Sequence, residues 1–227
     1  MFQNKKIEIA CFHIESVVLA QKAGADRIEL CANISVGGTT PSINIIQQAL
    51  EKITIDCYVM IRPRGGNFVY SEAEFELMKS EIKTIKKLGA NGFVFGILNK
   101  DNTINIQQNK ALVALAHPLP CTFHKAFDEV SNHEKALEDV ISCRFSTLLT
   151  SGTATNVMHG KEIIKQLINQ ANHRIQIMPG GSLRSSNISN LDQIVQANWY
   201  HSSAITDHSE IANSSEITAL KAHLSKK

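Results

Sequence analysis

The chain alternates short apolar runs with longer helical stretches, and this alternation constrains its fold more than any other feature. Eight runs are rich in Ile, Val, Leu or Phe, which is typical of parallel strands buried on both faces. They span residues 7–12, 27–31, 57–62, 92–98, 120–124, 145–150, 174–178 and 198–202.

The stretches between the runs carry helix start and stop signals. Gly24 and Gly89 each precede an apolar run and are expected to end a helix in the left-handed conformation. Three residue pairs have the spacing of a capping box. They are Ser71 with Glu74, Ser131 with Glu134, and Asn213 with Glu216.

Eight strand–helix units predict an α/β protein with a (β/α)8 TIM-barrel fold. A doubly wound open sheet would show the same alternation. The count of eight favours the barrel, and no G-x-G-x-x-G motif follows the first run. No linker or shift in composition divides the chain, so residues 1–227 are predicted to form a single domain.

Composition narrows the class of protein and its partners. The chain is 43% hydrophobic and 19% charged, with a formal net charge of +2 and no long Lys/Arg run. We therefore expect a globular protein with neither a nucleic-acid nor a membrane partner. The start of the chain has no apolar signal-peptide region, so we expect a cytoplasmic protein whose five cysteines are reduced.

Polar side chains fall near the ends of most runs, where TIM barrels place their active sites. Burying so many charges is costly unless they pair or line a cleft. The alternative is a structural role, such as a Glu8–Arg62 ion pair. Lys125, Thr150 and Ser151 belong to the same set. The candidate catalytic residues are Glu8, Glu29, Arg62, Arg64, His124, Asp128 and His201.

Small residues follow the last two runs. Gly180-Gly181 and Ser202-Ser203 occupy positions where barrels often bind phosphate through backbone N–H groups. Tight turns also use paired glycines. Both interpretations stay open, and these four residues are a candidate anion site.

Cys11 and Cys31 end the first two runs and are the candidate metal ligands. Thiolates suit Cu(I) or Zn(II) better than Mg(II) or Ca(II). Cys31 shares a strand face with Glu29, but Cys11 does not share one with Glu8 unless the first strand bulges or ends at Ala10. A buried cysteine is also commonly a small hydrophobic residue.

Seven segments of the chain, in this order, resemble the CutC family of copper homeostasis proteins. They are IELCANISVGGTTPS, VMIRPRGGNFVYSEAE, GFVFGIL, TFHKAFD, LLTSG, IMPGG and YHSSA. The resemblance implies a (β/α)8 barrel, a cytoplasmic location and a small homo-oligomer, a dimer or tetramer. It also implies Cu(I) binding through Cys11 and Cys31, and no organic cofactor is expected.

The chain departs from the CutC pattern in four places. Lys125 stands where the family usually has arginine, and Thr153 and Ser182 stand where glycine is common. The tail after Ala204 is short. The loss of glycine at Ser182 and the short tail weaken the anion-site hypothesis.

Three functions are compatible with these features. The first is copper homeostasis through Cu(I) bound at the barrel rim. The alternative is a lyase or isomerase acting on a small phosphorylated or carboxylated substrate, in which Arg62 and Arg64 hold the anion. His124 or His201 would then move a proton, oriented by Glu8 or Glu29. The third is a scaffold without catalytic activity.

Overall fold

The computed structural model describes residues 5–225, and its eight strands are parallel neighbours in one sheet. The strands are β1 Lys6–Cys11, β2 Arg27–Leu30, β3 Asp56–Met60, β4 Gly92–Phe95, β5 Cys121–Phe123, β6 Thr147–Thr150, β7 Gln176–Pro179 and β8 Trp199–Ser202. Their order is β7-β6-β5-β4-β3-β2-β1-β8. A parallel bridge between Gly180 and His201 brings the two outer strands together and nearly closes a barrel.

Helices follow the strands around the barrel. They are α1 Ile14–Lys22, α2 Ile43–Lys52, α3 Glu72–Leu88, α4 Ile106–Ala116, α5 His133–Ser142, α6 Lys161–Ala171, α7 Ser185–Val195 and α8 Ser214–Ser225. Short 3-10 helices span Ile34–Val36 and Lys125–Glu129. The predicted single-domain (β/α)8 barrel is confirmed, and the doubly wound sheet is wrong. The boundaries at 1 and 227 lie outside the described residues. None of the helices described is both long and apolar enough to span a membrane.

The main hydrophobic core lies between the strands and the surrounding helices. Ile7, Ile9 and Cys11 of β1 belong to it and are fully buried. Helix α3 contributes four buried side chains at three- and four-residue steps, which is the period of one helix face. They are Phe75, Met78, Ile82 and Ile85. Because strand side chains alternate between faces, the other face of β1 turns Glu8 into the barrel.

The three predicted capping boxes agree with the structure to different degrees. Ser71 and Glu74 form the predicted capping box. The Ser131 prediction is wrong by one residue, because Asn132 is the N-cap and accepts from the Lys135 amide at 2.9 Å. Asn213 caps α8 by accepting from the Glu216 amide at 3.0 Å.

The Glu216 carboxylate does not complete a capping box, since it accepts from the backbone and hydroxyl of Ser185 at 2.6 and 2.7 Å. At the helix ends, Gly24 and Gly89 have φ of 89° and 98°, as predicted. Two of the departures from the CutC pattern also have left-handed backbones. Thr153 and Ser182 both have φ of 54°, a conformation that favours glycine.

Candidate active site at the barrel mouth

A cavity of about 300 Å³ opens at the carboxyl ends of the strands. Its wall includes polar residues from five separate strand ends or the loops that follow them. They are Glu29, Arg62, His124, Lys125, Arg184 and His201. Four of the seven candidate catalytic residues are therefore brought together.

Glu8 lies fully buried beneath this cavity and holds two partners. One carboxylate oxygen accepts from Arg27 Nε at 2.5 Å, and the other contacts His201 Nδ1 at 2.7 Å. The suggested Glu8–Arg62 ion pair is wrong, because Glu8 is paired with Arg27 on the neighbouring strand. Burial favours the neutral acid, but Arg27 and His201 outweigh it and lower the pKa of Glu8 to about 2.

Arg27 closes the bottom of the site. Its guanidinium carbon lies 4.0 Å from the ring centre of Tyr58 and 4.1 Å from that of Trp199. Both distances are within cation–π range. Arg27 thus neutralises Glu8 inside the barrel while stacking between two aromatic rings.

Glu29 and His201 face each other above this pair. Glu29 Oε2 lies 3.7 Å from His201 Nε2, and Glu29 Oε1 is buried without a hydrogen-bond partner. Burial raises the pKa of Glu29 to about 7, against the opposing effect of His201. Burial alone would lower the pKa of His201, but Glu8 and Glu29 raise it above 6.5. Both groups therefore hold a proton more readily than they would in water.

His124 is a second, chemically different histidine. Its Nδ1 accepts from the Ala126 amide at 3.3 Å, so the neutral ring carries its hydrogen on Nε2. That Nε2 atom is buried and has no hydrogen-bond partner among residues 5–225. Burial and the nearby Arg62 charge lower the pKa of His124 to about 3. His124 is a neutral hydrogen-bond donor on the cavity wall, at 4.8 Å from the Phe68 ring.

Arg62 is largely committed to the backbone. It donates to the carbonyls of Val36, Gly38 and Gly66 at 2.7–2.8 Å. Only its Nε is buried without a partner. Arg62 therefore fixes the loops of the barrel mouth and retains one N–H group, rather than the whole fork expected of an anion clamp.

Two predicted catalytic residues lie outside the cavity wall. Arg64 donates to Glu74 at 2.6 Å and to backbone carbonyls of its own loop. Asp128 accepts from the amides of Ser151 and Thr153 at 3.0 Å and thereby shapes the loop after β6. The expectation that Arg64 holds a substrate is not supported by this position.

Some of the small residues after β7 and β8 have structural roles, and others line the cavity. A Cβ atom at Gly180 would lie 2.5 Å from Leu149 Cδ1 and 3.0 Å from His201 Cβ, so a side chain there would displace these neighbours. Ser202 donates to the Leu183 carbonyl at 2.7 Å and ties the two loops together. Gly181 and Ser203 line the cavity. Ser202 also lines the cavity, so three members of the candidate anion site face it.

Cys11 and Cys31 lie on opposite faces of the sheet. Cys11 belongs to the core beneath the helices, whereas Cys31 packs inside the barrel with Tyr58, Met60 and Val94. Cys31 lines the cavity and Cys11 does not. Burial raises the pKa of both thiols. Strand alternation, noted from the sequence, therefore separates the two sulfurs unless β1 changes conformation.

Sequence reasoning missed two residues of this site. Arg27 was counted only as the start of a strand, although its parity with Glu29 places both on one face. Arg184 follows the Gly180-Gly181 turn and lines the cavity, and it was not singled out. The available signal was the spacing: Arg27 precedes the inward-facing Glu29 by two residues and therefore shares its strand face.

Comparisons with known proteins agree with this architecture. The CutC family model matches residues 5–206. The chain is 43% identical to the human copper homeostasis protein cutC homolog over 198 residues, which are 87% of this chain and 72% of that protein. It is 44% identical over 182 residues to the family protein CutC of Pasteurella multocida, covering 80% of this chain and 75% of that one.

A solved structure is similar as well. The crystal structure of the CutC protein from Streptococcus agalactiae superposes with a TM-score of 0.83 at 34% identity, over 89% of this chain and all of that chain. The family-model match, residues 5–206, extends through every strand of the barrel. On this family match and these identities, the chain belongs to the CutC family of copper homeostasis proteins.

Proposed function

We propose that the barrel mouth is the active site of an enzyme, a lyase or isomerase, that moves a proton on a small anionic substrate. One observation carries the proposal. Glu29 Oε1, His124 Nε2 and Arg62 Nε are buried without a hydrogen-bond partner in the described part of the chain, and all three residues line one cavity. Buried polar atoms are normally paired, so a cluster of orphans is explained by a ligand that pairs them.

The roles of the side chains follow from their states. His201 or Glu29 takes a proton from the substrate, because the raised pKa of each group makes it a stronger base than in water. Glu8 accepts from His201 Nδ1, which fixes the ring and stabilises its positive charge. His124 donates from Nε2 to the oxygen on which negative charge develops, as in other oxyanion sites.

The proposal is tested by proton exchange with solvent. Phosphorylated and carboxylated metabolites are screened by thermal shift, and those that stabilise the protein are incubated with it in D2O and followed by NMR. We expect deuterium to enter one carbon-bound position of an active compound. Glu29→Gln and His124→Asn should each slow this exchange at least a hundredfold.

The matched control is His208→Asn, because His208 is exposed and lies outside the cavity wall. It should exchange at the parent rate. Stabilising metabolites that never exchange, or exchange that survives Glu29→Gln, would refute the catalytic role.

A second proposal follows from the family rather than from the cavity: Cys11 and Cys31 bind Cu(I). The names of the relatives and the position of Cys31 on the cavity wall support it. The opposite strand faces of the two sulfurs argue against one shared site in a single chain. A cytoplasmic location and a dimer or tetramer, also implied by the family, remain part of this proposal.

Copper binding is tested by titrating the reduced protein against a Cu(I) chelator. Cys11→Ser, Cys31→Ser and the double variant are compared with Cys143→Ser, which removes a buried thiol elsewhere. A loss of affinity in both single variants supports two ligands. Equal affinity in the double variant and the parent would remove both cysteines as ligands.

A further inference from the structure

We infer that the loops after β5, β7 and β8 form a binding site for a phosphate monoester, and that Lys125 is its principal cation. The inference rests on the proposed function in naming the substrate class. The site would place the phosphate one level above the Glu29–His201 pair. Its residues are Lys125, Gly181, Ser182, Arg184 and Ser203.

Unbonded backbone donors are the first observation. Within residues 5–225, the N–H groups of Gly181, Ser182 and Ser203 donate no backbone hydrogen bond, although the residues flank the cavity. Consecutive free N–H groups on loops after the last two barrel strands are the usual elements of a phosphate cradle. Ser182, with φ of 54°, holds the strained backbone that this loop requires.

A cation next to a glycine is the second observation. A methyl group at Gly181 would lie 3.3 Å from Lys125 Nζ and 3.0 Å from Ser151 Cβ. A side chain there would fill the space between the ammonium group and the loop. Glycine therefore leaves the cradle open, beside a lysine that is 44% exposed.

The charge balance favours an anion. Lys125 and Arg184 bring positive charge to this side of the cavity, although the Arg184 guanidinium also donates to the carbonyls of Leu183 and Ile205 at 2.7 Å. Among residues 5–225, Asp128 lies 3.7 Å from Lys125 Nζ and offsets one of these charges. Donors also come from two loops and from a third strand end, which suits the tetrahedral oxygens of phosphate better than a planar carboxylate.

The cavity limits the size of the ligand. Gly180 is paired with His201, so the loop residues Gly181, Ser182 and Ser203 follow directly after the level of His201. A cavity of about 300 Å³ at this level accommodates a small phosphate monoester.

The test uses inorganic phosphate as the probe, with binding measured by calorimetry at constant ionic strength. We expect phosphate to bind the parent protein more tightly than acetate or malonate. Lys125→Met should weaken phosphate binding at least tenfold, and Lys125→Arg should recover most of it. Lys135→Met removes an equally charged, 65% exposed lysine from α5 and should leave binding unchanged.

Two outcomes would overturn the inference: unchanged phosphate affinity in Lys125→Met, or tighter binding of the carboxylates. Glu29→Gln separates this inference from the proposed function, because it should abolish proton exchange and keep phosphate affinity. Phosphate binding without any exchange activity would uphold the cradle and refute the enzyme. Exchange on a carboxylate that phosphate does not inhibit would uphold the enzyme and refute the cradle.

Discussion

His124 should make the stability of this protein strongly dependent on pH. The pKa of His124 is about 3 in the folded protein and 6.5 in the unfolded chain. Because the folded state disfavours the imidazolium, its contribution is complete above pH 6.5 and is lost as the pH falls toward 3. Between pH 7 and pH 4 this single group should remove about 3 kcal/mol from the free energy of unfolding.

The measurement is urea denaturation of the parent and of His124→Asn at both pH values. Asparagine is the matched replacement, because its side-chain oxygen can accept from the Ala126 amide as Nδ1 does. Other groups titrate alike in both proteins, so the difference between the two pH dependences isolates His124. We expect the parent to lose about 3 kcal/mol more than the variant over this range. Equal losses, within about 0.5 kcal/mol, would show that His124 is not held neutral by burial.

Three further predictions concern stability, each measured by urea denaturation at pH 7. Thr153→Gly and Ser182→Gly should each stabilise the fold by about 1 kcal/mol, because both residues have φ of 54°; no gain would argue against strain. Glu8→Gln should cost about 3–5 kcal/mol by leaving Arg27 buried without its charge partner, and adding Arg27→Met should recover part of this; additive losses would contradict the pairing. Asp128→Asn should cost about 2–3 kcal/mol through the amides it holds; a loss below about 0.5 kcal/mol would exclude that role.

The barrel was predictable from the sequence because its signals are local and repeated. Each apolar run, such as residues 92–98, and each helix cap, such as Gly89, indicates the structure of its own segment. The eight runs agree on one fold. The pairing of side chains was not predictable in the same way. Glu8 had several arginines within reach of the barrel interior, and only the register that sets Glu8 opposite Arg27 selects the partner.

The same limit applies to the polar residues at the site. Arg62 and Arg64 have the charge of an anion clamp, but the sequence does not show that backbone carbonyls consume their N–H groups. The alternation of side chains along β1 did indicate that Cys11 and Glu8 lie on opposite faces of the strand. The family resemblance implied that Cys11 shares a site with Cys31. Strand alternation instead described the position of the Cys11 side chain.

The stacking of Arg27 between Tyr58 and Trp199 has a consequence for how molecules pass through the barrel. This stacked group closes the barrel below the cavity, so any ligand enters and leaves by the same mouth. For a lyase, the fragment seated deeper, beside Glu29, has to wait until the outer fragment has gone. In the lyase proposed above, product release should then follow a fixed order, and the inner product, released last, should compete with the substrate for the empty site.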